Sequence, residues 1–140
     1  MPNPTDLLAV AGLLSNASAQ PPPSDAQARR AVSTAYYALF HKVVQAAAQR
    51  FMGQSHEKSA GYALLYGSFA HHHMKVVCEA LQVSTLRDRF RYLLRRNAVS
   101  RDMRDFAGAF PALQEARHRA DYDPTVEFLP SDVSSSGRCG

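Results

Sequence analysis

With 140 residues, 46% hydrophobic and 20% charged, the chain has the size and composition of one ordinary globular domain, able to bury roughly two-thirds of its unfolded surface. A net charge of +4 and a pI near 9.3 suit a nucleic-acid or nucleotide partner, yet fall far short of the basicity of ribosomal or chromatin proteins. The two cysteines, Cys78 in an apolar run and Cys139 beside the last residue, exclude a disulfide framework and supply no metal site, which favours a reducing compartment.

The first apolar run, Leu7 to Leu14 followed by Ala17-Ser-Ala19, imitates a secretory signal. No positive charge precedes it, and Asp6 places a negative one there. The run is instead expected to be a first helix capped by Thr5, with Leu7, Leu8, Val10, Ala11 and Leu14 turned to the core. No apolar run reaches the about 20 residues of a membrane span. The expected location is the cytoplasm.

Pro21-Pro-Pro23 then forms a stiff connector that no helix crosses. Ser24 with Gln27 predicts a capping box for a helix running to about Phe51. At about 100° per residue, Val32, Tyr36, Leu39 and Val43 share one side and Ala31, Ala35 and Ala38 a neighbouring one. Arg30, Thr34, Tyr37, His41 and Val44 stack on a third. A helix apolar nearly all round is expected to be central, with other helices about it.

Met52 to Lys58 is polar and reads as a loop. Ser59 to Leu81 reads as helix interrupted near Gly67-Ser68. Ser84 or Thr85 is expected to cap a short helix in which Leu86, Phe90, Leu93 and Leu94 keep helical spacing. Asn97-Ala-Val is a break. Ser100 with Asp102 starts the last helix, whose face is traced by Met103, Phe106, Phe110, Leu113 and Ala120 and whose course Pro111 should kink. Periodicity stops at Asp123-Pro124. The reading is all-α, an antiparallel bundle of four to five helices, with one domain over 1–124 and a disordered tail over 125–140.

The polar stripe of the central helix needs partners, since each buried orphan costs about 1–3 kcal/mol. Arg117 and Asp121 lie one turn apart on the last helix and so share a face, which predicts Arg117, Asp121 and Tyr122 meeting Tyr37 and His41. Such a cluster serves either as a working site or as a register-fixing network. Three successive histidines, His71 to His73, point about 100° apart and do not chelate one ion, so no metal or cofactor is expected. Arg87, Arg91 and Arg95 recur at i, i+4 and i+8, with Arg89, Arg96, Arg101 and Arg104 nearby. That face is either solvated surface or a phosphate-gripping one, for which the guanidinium fork is well shaped.

Two segments, Arg29-Arg-Ala-Val-Ser-Thr-Ala-Tyr-Tyr-Ala-Leu-Phe-His41 and Leu113-Gln-Glu-Ala-Arg-His-Arg-Ala-Asp-Tyr-Asp-Pro124, together resemble the HEPN superfamily, in particular its small stand-alone bacterial members. The resemblance covers about residues 5–124. It implies a HEPN-like helical bundle that often forms homodimers and binds RNA or nucleotides. It further implies a place in toxin–antitoxin or defence systems, beside a cognate nucleotidyltransferase or antitoxin partner. Many members are metal-independent endoribonucleases with an Arg-x(4–6)-His motif on the late helix. With Tyr122 set at the family's tyrosine, Ala120 stands at the histidine position and Glu115 at the four-residue arginine spacing. The candidate catalytic groups are therefore the out-of-register Arg117 and His118, with His41. Candidate RNA or nucleotide contacts are Arg30, Tyr37, Arg119, Asp121 and Tyr122, together with Arg87, Arg91 and Arg95. Three readings follow: a binding module, a metal-independent endoribonuclease with a non-standard site, or a helical module for protein interaction.

Overall fold

In a computed structural model that describes residues 2–128, helix α2 spans Asp25–Met52 and is the longest helix among the described residues. Its start is chemically fixed. Ser24 Oγ accepts the Gln27 backbone N–H at 3.2 Å, and Gln27 Oε1 accepts the Ser24 N–H at 2.8 Å, the reciprocal pair of a capping box. It stops at Gly53, whose φ of 87° is a conformation that glycine adopts without a Cβ penalty. Every residue from Ala31 to Tyr36 is buried, covered from the first helix by Leu14, from the last by Ala120, and at Tyr36 by His71. Towards its C-terminus the helix emerges: Lys42, Ala46 and Arg50 are exposed, and Phe51 is 79% exposed.

Helix α1 spans Pro4–Leu14 and is capped by Asn3, whose Oδ1 accepts the Thr5 N–H at 3.0 Å. Thr5 is thus inside the helix rather than at its cap, because Pro4 suits the first helical position, where no N–H is needed. The expected apolar face is also corrected. Ala11 is buried and Leu14 packs against Val32 and the small residues Ala28 and Ala31, whereas Leu8 and Val10 are exposed. Alanine on both helices lets them approach closely, and the larger residues are left outside the contact.

The segment after the loop divides at Ser68–Ala70 into α3, Ala60–Gly67, and α4, His71–Leu81. Helix α5 covers only Asp88–Leu94, and α6 spans Arg101–Tyr122. That makes six α-helices where four to five were expected, and no strand among the described residues. Neither Ser84 nor Thr85 caps α5. Leu86 is buried ahead of it and donates its N–H to the Asn97 carbonyl at 3.0 Å, so residues 86–97 leave and rejoin the body at one point.

Helix α6 continues through Pro111. Proline offers no N–H to the carbonyl four residues earlier, that of Ala107. Gln82 Nε2 supplies the missing donor at 3.0 Å. Below this point Tyr36, Phe40, Val44, Cys78, Ala107, Phe110 and Leu113 join α2, α4 and α6 in one core.

A second cluster holds the chain end. Packing continues to Val126 and Phe128, against Ala28, Ala31, Val32 and Ala120. The remainder of the expected tail, 129–140, lies outside the described residues. No helix among the described residues is long and apolar enough to cross a membrane.

Candidate functional site

The polar stripe of α2 and the end of α6 do meet. Both tyrosines of the Tyr36-Tyr37 pair lie under Arg117, whose guanidinium carbon stands 5.4 Å from the Tyr36 ring centroid and 5.9 Å from that of Tyr37. Arg117 Nη1 reaches Asp121 Oδ2 at 3.3 Å, and Ser33 Oγ donates to the same oxygen at 3.3 Å. One turn of α6 thus carries both ion-pair members on the face turned to α2. The Arg117 side chain is only 17% exposed, and its Nε is buried with no partner among the described residues.

On the far side of this tyrosine pair from α6, the histidine that reaches Tyr36 is His71, on α4. Its ring stacks on Phe40 with centroids 3.8 Å apart, and its Nδ1 hydrogen-bonds the Tyr36 hydroxyl. His41 sits one turn along α2, stacked at 6.4 Å on Tyr37, with its Nδ1 bonded to the Tyr66 hydroxyl at 2.6 Å. Between His41 and Arg117 stands the Tyr37 ring, which has the His41 ring on one side and the Arg117 guanidinium 5.9 Å from its centroid. A residue on α4 fills the space that two-helix reasoning left open. His71 shares its stripe of α4 with Met74, Cys78 and Leu81, and that periodicity was the available signal for its burial. His72 and His73 face solvent. Among the described residues no group of three or more His, Cys, Asp or Glu could hold a metal ion.

Electrostatics follow burial. Loss of water pushes the Tyr36 phenol up to about 12 and holds both His71 and His41 below the ordinary imidazole value, and at His71 the Arg117 charge and His41 act in the same direction. With the phenol protonated and the imidazole neutral, Tyr36 is suited to donate to His71 Nδ1. Tyr36 is fully buried, so its hydroxyl is a fixed internal donor and not a group open to a ligand.

The remaining α6 candidates face outward. Tyr122 is 67% exposed and packs beside His118, ring centroids 5.1 Å apart, because residues four apart share the outer face. Tyr122 thus does not join Tyr37 and His41 as expected. Arg119 and Arg30 are exposed as well.

Next to Arg30, it is Arg29 that the structure engages. Its guanidinium donates to the carbonyls of Ala120 at 3.1 Å, Asp123 at 2.7 Å and Val126, and its Nε pairs with Asp25 at 2.6 Å. Asp25 Oδ1 accepts the Phe128 N–H at 2.8 Å, while Phe128 lies under the Arg29 guanidinium at 5.1 Å. A long-range arginine thus caps the C-terminus of α6, where carbonyls lack partners and the helix dipole favours a cation.

The arginine stripe expected on α5 does not form. The helix is seven residues long, so Arg87 is its N-cap, Arg91 lies on it paired with Asp88, and Arg95 ends it in the left-handed region at φ 52°. What forms instead is a protruding turn of chain, Leu86 to Asn97, with all five of its arginines exposed. Tyr92, Leu93 and Leu94 are exposed among them, Tyr92 at 85%. Five arginines against one aspartate make +4, which is the net charge of the whole chain; the other residues hold eleven basic and eleven acidic groups. Comparison with protein-family models, curated proteins and solved structures finds no match to this chain.

Proposed function

We propose that this chain is a HEPN-like RNA- or nucleotide-binding module whose first contact with its ligand is the 86–97 excursion. The observation that carries the reading is the concentration of the entire net charge in those twelve residues, around an exposed tyrosine. Phosphates are held by cations whose counterions are released on binding, and bases stack on aromatic faces. Arg87, Arg89, Arg91, Arg95 and Arg96 supply the first element and Tyr92 the second. Arg30, Arg119, His118 and Tyr122 offer further exposed groups at the α6 end. The Tyr36–Tyr37–Arg117–Asp121 cluster, anchored on the buried Tyr36, sets the register of α2 against α6. On the motif resemblance, the module acts in the cytoplasm as a homodimer within a toxin–antitoxin or defence system.

Fluorescence anisotropy with single-stranded RNA across a salt series tests this. Affinity should fall steeply with salt, and Arg89→Ala, Arg95→Ala and Arg96→Ala together should lower the log–log slope by about 0.7 for each phosphate left without its arginine. An unchanged slope in the triple variant would sink the proposal.

A metal-independent endoribonuclease is the second reading, favoured by His71, an imidazole that burial and the neighbouring Arg117 charge hold below its ordinary value. A neutral imidazole can take the proton of a 2′-hydroxyl, and an arginine can stabilise the charge developing at phosphorus. Cleavage in EDTA that disappears in Arg117→Ala supports it. No cleavage at high protein concentration removes it.

A further inference from the structure

Between the emerging half of α2, helix α4 and the first turns of α6 lies a groove of about 940 Å³. Val43 and Ala47 form one wall, Met74, Val77 and Leu81 the second, and Phe106 with Met103 the third. These side chains are turned towards one another without closing into a core: Val77 and Met103 remain 43% and 44% exposed. Small-molecule sites have this character, concave and apolar over roughly 300–1,000 Å³ with few polar groups at the edge. Here the edge carries Arg50, in the last turn of α2, with His73, and Asp102 stands on the α6 side. Arg50 makes no ion pair among the described residues, and its sequence neighbour Gln49 is the group bonded to the nearby acid Glu57.

We infer that this groove binds a single-chain amphiphile with an anionic head, of the long-chain carboxylate class. The aliphatic chain lies between α2, α4 and α6, and the carboxylate pairs with the exposed Arg50 guanidinium. An apolar lining selects the chain, and Arg50, an exposed cation of that lining with no ion-pair partner among the described residues, selects the head. The site is separate from the 86–97 excursion and does not depend on it.

The test uses the full chain, an environment-sensitive anilinonaphthalene sulfonate as reporter, and oleate and oleyl alcohol as competitors. Oleate should displace the reporter and raise the melting temperature. Arg50→Gln should weaken oleate about tenfold, the value of one charge-assisted contact, while leaving oleyl alcohol unchanged. Val77→Glu, placed at a half-exposed position so that the fold is kept, should abolish both. Equal competition by oleate and oleyl alcohol, or no effect of Arg50→Gln, overturns the assignment of an anionic head. Failure of either competitor to displace the reporter overturns the ligand itself. Sedimentation showing a dimer that Val77→Glu dissociates overturns it in favour of a second copy seated on the groove.

Discussion

Arginine is put to opposite uses at the two ends of this molecule. At the α2–α6 seam, Arg29 and Arg117 each have side chains only 17% exposed, and each is held by a carboxylate and an aromatic ring. On the 86–97 excursion, five arginines stand in solvent, and among the described residues only Arg91 has an ion-pair partner, Asp88. The difference shows that position in the fold, more than residue type, decides whether a guanidinium holds the chain together or waits for a ligand. Where it is desolvated, its donors must be matched inside, which builds structure. Where water already serves it, exchanging water for phosphate costs little, which suits binding.

Removing Arg29 should produce the largest effect. Arg29→Met leaves the last carbonyls of α6 and the Asp25 carboxylate without their shared donor, and should cost about 3 kcal/mol in urea denaturation. A loss below about 0.5 kcal/mol would show that the clasp over residues 123–128 contributes little. Arg89→Glu with Arg95→Glu and Arg96→Glu should do the reverse, weakening RNA binding about 100-fold at low salt while stability stays within about 0.5 kcal/mol. If the triple variant unfolds more easily instead, the two ends are less different than their exposure indicates.

A smaller effect comes from pH. Burial holds His41 and His71 below their ordinary value of 6.5, so the unfolded chain takes up protons near that pH and the folded chain only below it. The stability from keeping them neutral is complete above 6.5 and is lost as pH falls through that value. Denaturation midpoints measured from about pH 8 to about pH 5 should show this decline, and His71→Gln should flatten it. Smallest of all is Tyr92→Ala, which should cost about 1 kcal/mol of RNA affinity by removing a stacking face, and nothing in stability.

Much of the helix pattern was legible in the residues. The Ser24–Gln27 box, the break near Ser68 and the Ser100 cap are local chemistry, and each reappears where its residues predict it. The pairing of Arg117 with Asp121, and the approach of Arg117 to Tyr37, followed from spacing on one helix. His71 was not legible as a site residue, because its neighbours come from a different helix and the two histidines that follow it are solvated. Nor does the sequence single out Arg29 over Arg30, since a helix stripe says nothing of which arginine a distant chain end will reach. The arginine stripe of α5 failed for a related reason: the i, i+4, i+8 spacing is meaningful only while the helix lasts, and burial of Leu86 delays its start while Arg95 ends it.

By itself, then, the amino-acid sequence determined that the chain is helical, where the long central helix starts and that its polar groups would need partners. Those are consequences of short-range hydrogen bonding and side-chain periodicity. Only the tertiary structure decided that His71 would take the place beside Tyr36, that Arg29 would close the end of α6, that Gln82 would answer the carbonyl exposed by Pro111, and that an open apolar groove would remain beside the core. Each of these depends on which side chains from separate helices arrive at the same point, and desolvation settles that across the whole molecule at once.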